Sequence, residues 1–374
     1  MAKSAAKSKK LGQENSVAPK RHLESVPSAN YNRFWESSLF SDVYLQNDVP
    51  VKYKELWDSY AEPFDNFCAQ FRYFCEELKH DDFNSWTERE TINKFIKPVL
   101  RMLGYADKCS LNQEPWREDD AYTFKEHGES KTYKPDLVIV NDPRELKYIG
   151  NKEGQKKLDE ARASVIIPIE AKYWNRIEDR EVKSSDDSKR ADKKDQSDST
   201  RALDFDEQCL KYMEVLDKDY GILTDGKTWR LYNRELSSDN YHRNFQFNLG
   251  HLIKHVNAGL EANQRDYDLF IENAKYFFHI FSKRAVYSED GGRRFLDDLL
   301  EYSKTYVTRV EDDLKTRFVR AMSHACNGFL RSAEDAKESI ELSKIRNVAE
   351  SHLFNILFIR HCESRGILPL KHSD

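Results

Sequence analysis

Asp136, Glu170 and Lys172 are the residues through which this chain could do chemistry. Asp136 lies in Lys134-Pro135-Asp136-Leu137-Val138-Ile139-Val140, and the other two end Val165-Ile166-Ile167-Pro168-Ile169-Glu170-Ala171-Lys172. Both runs are apolar and of strand length, where a buried strand ordinarily carries no charge. An unpaired buried carboxylate is costly, so a fold that places these groups on core strands must compensate them. A divalent cation does so. Side chains two apart on a strand share a face, which aims Glu170 and Lys172 the same way and Ala171 back. Two carboxylates and a lysine on one face suit magnesium-dependent phosphodiester hydrolysis.

The acid-x-lysine triplet alone is not distinctive. It recurs at Glu181-Val182-Lys183, Asp187-Ser188-Lys189, Asp192-Lys193-Lys194 and Asp313-Leu314-Lys315, as expected in a chain that is 33% charged. What separates Glu170-Ala171-Lys172 from these is its apolar approach: the first three lie in a hydrophilic run and the fourth reads as helix. The plainer reading of 165–172, a buried strand ending in a solvated charge pair, stays open on this stretch by itself.

The elements that must position these residues are legible nearby. Apolar residues at Ile92, Phe95, Ile96, Val99, Leu100 and Leu103 have helical spacing, and Gly104 is a natural stop. Either Ser85 or Thr87 can cap this helix. In the first case Glu88 bonds the helix start; in the second Glu90 does and Glu88 is free. Gln208 and Tyr212, four apart, fall on one face of a later helix. Two short strands then flank an Asp225-Gly226 turn.

Taken in order, Glu88-x-x-Thr91 on a helix, Pro135-Asp136, Glu170-x-Lys172, Gln208-x-x-x-Tyr212 and Gly221-Ile222-Leu223-Thr224-Asp225-Gly226-Lys227-Thr228-Trp229 resemble a known family. It is the PD-(D/E)xK nuclease domain at the front of type I restriction subunits and type IIG restriction-modification enzymes. The resemblance covers about 85–235. It implies an α/β fold, a mixed sheet flanked by helices, and a catalytic set of Asp136, Glu170, Lys172, Glu88, Gln208 and Tyr212. Asp136, Glu170, the Ala171 backbone carbonyl and Glu88 would hold Mg²⁺, with Mn²⁺ able to substitute. Lys172 would orient the attacking water, and Gln208 and Tyr212 would position the lysine or a DNA phosphate.

The tail extends the resemblance. Phe295–Ser303, Asn327–Leu330 and Leu353–Pro369 are similar to the helical connector that joins such nucleases to an adenine-specific methyltransferase. The sequence contains neither a glycine-rich S-adenosylmethionine loop nor an Asn-Pro-Pro-aromatic motif, so S-adenosylmethionine is not expected to bind this chain. The expectation is the front part of a larger, split or truncated enzyme of a restriction-modification or anti-phage system. Its partners would be double-stranded DNA, a methyltransferase or specificity chain, and a second copy for double-strand cleavage. Two other readings stand beside it: a non-catalytic DNA-binding or docking module, and an N-terminal fragment of an adenine-specific DNA methyltransferase.

Composition bounds the rest. The net charge of −5 argues against a general DNA-coating role, and a mean hydropathy of −0.82 with no long apolar run excludes a membrane span. DNA contact must come from a local patch, and the candidates beside the chemistry are Arg89, Lys94, Arg101, Arg117, Lys134, Asn175, Arg176 and Lys211. The six cysteines are scattered without a Cys-x-x-Cys pair, in keeping with a reducing cytoplasm. His251 and His255 could clip a metal but have no evident third ligand. We expect a disordered basic tail over 1–29, a nuclease domain with a helical lead-in over 30–244, and a helical connector over 245–374. Within the nuclease, 145–163 reads as a charged turn and helix, and 178–201 as a low-complexity loop.

Overall fold

Strands form where apolar residues run continuously or alternate, and the sheet they build carries the site. A computed structural model describes residues 33–105, 116–117, 122–126, 129–140, 154–177, 204–238, 240, 243–258, 264–288, 291–336 and 341–364. The strands are β1 (Trp35–Ser37), β2 (Trp116–Arg117), β3 (Tyr122–Glu126), β4 (Glu129–Tyr133), β5 (Leu137–Val140), β6 (Val165–Ala171), β7 (Tyr220–Thr224), β8 (Thr228–Asn233) and β9 (Asn244–Asn248). Seven of them join in one sheet, in the order β1-β9-β8-β7-β6-β5-β2, while β3 and β4 pair separately. Within that sheet β6 and β7 are parallel and the other neighbours antiparallel. The chain is therefore of mixed α/β class.

Helices cover both faces, which is why β5, β7 and β8 are buried along their whole length. On one face Ile167, Ile169, Ala171, Ile222, Trp229, Leu231, Phe245 and Phe247 join the main core. The helices over them are α1 (Ala61–Glu77), α2 and α6 (Gln264–Phe281). Helix α2 is Glu88–Thr91, the π-turn Ile92–Ile96 and Lys97–Met102 run end to end. The expected stripe of Phe64, Phe67, Phe71 and Phe74 is buried here, with Leu78 packed against it. On the other face α3 (Gly154–Ser164) packs through Leu158 and Ala161, and α4 (Phe205–Val215) through Cys209 and Met213.

Two expectations about the ends of this region need correction. Residues 30–80 are not purely a helical lead-in, because Trp35 opens β1 and pairs with Phe247 of β9. Nor does a helical domain begin at 245. Phe245 and Phe247 alternate with half-exposed Asn and Gln in β9, a period of two that the flanking helical pattern obscured. Helix α5 (Leu249–Ala258), α6 and the first turns of α7 (Phe295–Asp335) feed the same core through Leu252, Phe277, Phe281, Leu296 and Leu299. The chain divides instead after Arg320.

The unit containing Ala321–Asp374 buries Ala333, Ile345, Ala349 and Cys362, and Phe329 meets His352 edge-on at 6.4 Å. Its helix α8 (Leu342–Ser364) leaves Phe354, Ile356, Leu357, Phe358 and Ile359 exposed. The tail 1–29, the loop 178–201 and the first part of 145–163 lie outside the described residues; the rest of 145–163 is α3, as expected of its helix. Among the described residues no helix is long and apolar enough to cross a membrane, and the cysteines are free thiols.

Candidate active site

The end of β6 is where the acidic residues converge. Asp136 sits just before β5 and accepts the Ala171 backbone N–H through Oδ2 at 2.8 Å, so the antiparallel β5–β6 pair sets it beside Glu170. Lys172 follows β6, and its backbone N–H donates to the Thr224 carbonyl at 2.8 Å, extending the parallel ladder by one rung. Glu170 and Lys172 share a face, as their spacing requires, and the Lys172 ammonium bonds Glu170 Oε1. That ammonium is also 3.8 Å from Asp136 Oδ2 and 3.8 Å from Glu88 Oε2.

The alternative caps of α2 resolve in favour of Thr87. Its hydroxyl accepts the Glu90 N–H, and the Glu90 carboxylate accepts the Thr87 N–H at 3.0 Å. Glu88 is thereby released toward Lys172. At the other end Gly104 takes φ +84, and the Tyr105 N–H closes on the Leu100 carbonyl at 3.2 Å, which stops the helix as its sequence indicates.

Burial dominates the electrostatics. Glu170 is fully buried, and burial together with the Asp136 carboxylate pushes its pKa up to about 9 against the opposing pull of Lys172. Burial also raises Glu88; Lys172 partly offsets this and Asp136 adds to it. For Lys172 burial alone would lower the pKa, but Glu170, Asp136 and Glu88 outweigh it and hold the ammonium charged. Among the described residues Glu170 Oε2 is buried without a hydrogen-bond partner. A buried carboxyl oxygen left unsatisfied is costly unless a cation or donor joins it.

That oxygen is the observation by which a divalent cation can be tested. Among the described residues no three acidic, imidazole or thiol groups form a ready-made metal cage, and Lys172 stands between the carboxylates as the counter-charge. The donor set of Asp136 and Glu170 is hard oxygen, which fits Mg²⁺ or Mn²⁺ rather than a soft metal. His251 and His255 pack on the Phe34 ring, at 5.6 and 4.9 Å, and among the described residues they belong to no group of three metal-ligating side chains.

Gln208 and Tyr212 do share a face of α4, but their hydrogen bonds reach the backbone before Asp136 rather than Lys172. Gln208 Nε2 donates to the Tyr212 hydroxyl at 2.7 Å, and that hydroxyl donates to the Lys134 carbonyl at 2.8 Å. The pair therefore holds the Lys134-Pro135-Asp136 approach. Phe205, from the same helix, lies 5.2 Å from the Lys172 ammonium.

The basic candidates separate into groups. Lys134, Asn175 and Arg176 adjoin the cluster through the chain itself; Asn175 takes φ +64 and accepts from Lys227 Nζ at 2.7 Å, and Arg176 lies over Tyr173 at 5.2 Å. Arg89 is exposed beside Glu88. Lys94 bonds Glu90 at 3.0 Å and Lys211 bonds Glu214 at 2.8 Å, so each is partly neutralised by its own helix. Arg101 is exposed near the far end of α2, and the Arg117 side chain lies outside the described residues.

Sequence reasoning missed the residues that lock the site together. The buried Thr91 hydroxyl donates to the Thr87 carbonyl at 3.1 Å and accepts the Trp174 N–H at 3.3 Å, tying α2 to the turn after Lys172. Asp225 accepts the Ile177 N–H at 2.8 Å and the Thr228 N–H at 2.7 Å. The Asp-Gly pair was a visible turn signal, but nothing local shows that Asp225 also holds a segment near Ile177. No family model, curated protein or solved structure matches this chain.

Proposed function

We propose that this chain is a metal-dependent endonuclease that hydrolyses DNA phosphodiester bonds, on a PD-(D/E)xK-type core, within a restriction-modification or anti-phage system. The observation that carries the reading is the convergence of Asp136, Glu170 and Glu88 on Lys172, with Glu170 Oε2 buried and unsatisfied. Asp136, Glu170 and the Ala171 carbonyl would hold Mg²⁺ or Mn²⁺. When bound, the ion would lower the pKa of a water and offset charge on the phosphate. Lys172, charged at neutral pH, orients the attacking water and stabilises charge developing on phosphate oxygens. Glu88 keeps a proton-accepting carboxylate within reach of the same space. Tyr212 and Gln208 hold the approach to Asp136 through the Lys134 carbonyl, and Lys134, Asn175 and Arg176, next to the cluster along the chain, would contact the DNA backbone.

A second reading is favoured by one observation, the exposed Phe354, Ile356, Leu357, Phe358 and Ile359 of α8, which suit docking to a methyltransferase or specificity chain. Asp136→Ala separates the two roles. Unmodified supercoiled plasmid incubated with the full chain and Mg²⁺ or Mn²⁺ should be nicked or linearised. Folded Asp136→Ala and Lys172→Ala should both lose this activity. Cutting that survives in both variants, or that ignores chelation, refutes the nuclease assignment.

A further inference from the structure

Lys172 has a neighbour that its three carboxylates do not account for. Its ammonium lies 5.2 Å from the centre of the Phe205 ring, within the range of a cation–π contact. The Lys172 side chain is only 13% exposed, so its charge has lost much of its water. Phe205 is the first residue of α4, and its place is set twice over. Asp204 caps the helix: its Oδ1 accepts the Phe205 N–H at 2.7 Å, and the Glu207 carboxylate accepts the Asp204 N–H at 3.3 Å. The ring then packs against Ile177, Cys209, Met213, Leu223 and Tyr232. Leu223 of β7 is the register partner of Glu170, so the ring stands beside the strand pair that carries the cluster.

Any apolar side chain could fill that packing, but only an aromatic one also attracts the charge. An ammonium pressed on aliphatic surface loses hydration uncompensated, whereas the ring quadrupole draws it in. The carboxylates are a weaker hold in a loaded nuclease. There Asp136 and Glu170 would also bind a divalent cation, which competes with the ammonium for the same oxygens. The lysine stem is long and flexible, so an ammonium deprived of those partners swings away unless something else retains it. An uncharged ring offers no oxygen to the metal and stays available to the lysine.

On the basis of the nuclease reading, we propose that Phe205 is a positioning residue for Lys172, retaining its ammonium beside the carboxylates when a divalent cation competes for them. Phe205 acts through the lysine and touches no reacting atom itself.

The test compares the full chain with Phe205→Leu, which keeps apolar packing, and Phe205→Tyr, which keeps the ring. One readout is independent of cutting. In protein carrying lysine labelled with ¹³C at Cε, the Lys172 resonance is assigned by its loss in Lys172→Arg, and a neighbouring ring moves its protons upfield. That upfield shift should be present in the wild type and in Phe205→Tyr, with and without Mg²⁺, and disappear in Phe205→Leu. The second readout is plasmid cutting. Phe205→Leu should lower kcat about tenfold or more with KM little changed, and Phe205→Tyr should recover most of that loss. Phe205→Met gives the same comparison should the leucine variant unfold. A Lys172 resonance unchanged in Phe205→Leu overturns the proposal, and so does a leucine variant that cuts as the wild type does. A wild type that does not cut sinks the nuclease reading instead, and the resonance alone then decides whether Phe205 places Lys172.

Discussion

Replacing Glu170 by Gln isolates the state of a fully buried acid. Glu170 ordinarily titrates near 4.5, and in the fold burial and Asp136 push it up to about 9. Between those values the native chain keeps a proton that the unfolded chain has released. Protein free of metal must therefore lose stability as pH rises. One proton corresponds to about 1.36 kcal/mol per pH unit, so from pH 5.5 to 8 the loss is about 3 kcal/mol. Gln keeps the shape, leaves an oxygen for Lys172 and cannot ionise, which removes this slope. His279, pushed down to about 4, and the buried thiols also respond to pH, but both proteins share them and they cancel in the difference. Urea unfolding in chelator at half-unit steps reads the effect directly. The wild-type and Glu170→Gln stabilities should separate progressively above pH 5.5, with the variant the more stable. Mg²⁺ at pH 8 should then stabilise the wild type and leave the variant unchanged. Parallel stability curves would refute a raised pKa at Glu170.

Other substitutions test the parts that hold the cluster. Tyr212→Phe removes the hydroxyl that bonds the Lys134 carbonyl and should cost about 1 kcal/mol of stability. The rate at saturating DNA should fall about tenfold or more, with KM little changed, because Asp136 loses its anchor. Thr87→Ala opens the capping box of α2 and should lower stability by about 1 kcal/mol, read as Tm, and slow cutting through Glu88. Gly226→Ala meets two obstacles, a φ of +83° and a Trp174 ring atom 2.8 Å from the new methyl. It should cost about 2 kcal/mol or more by thermal unfolding.

Much of the site was legible because its signals are local. The apolar approach to Glu170, the Pro-Asp step, the period of α2 and the Gly104 stop each reflect chemistry within a few residues. The free state of Glu88 was not, since Ser85 and Thr87 are equally able caps and only the fold selects Thr87. Tyr212 was placed on the correct helix face, but its partner is a carbonyl distant in sequence, which no spacing encodes. The Thr91 and Asp225 bonds cross between elements in the same way. The boundary at 245 failed because β9 is five residues long and sits directly before α5, so its alternation was absorbed into the helical period.

In the proposed nuclease a divalent cation would join Asp136 and Glu170. Binding of Mn²⁺ to the full chain, followed by electron paramagnetic resonance, measures this without DNA. One ion per chain is expected, with binding tightening as pH rises toward 9 and lost in both Asp136→Asn and Glu170→Gln. Undiminished binding in both variants, or none in the wild type at pH 8, would contradict it.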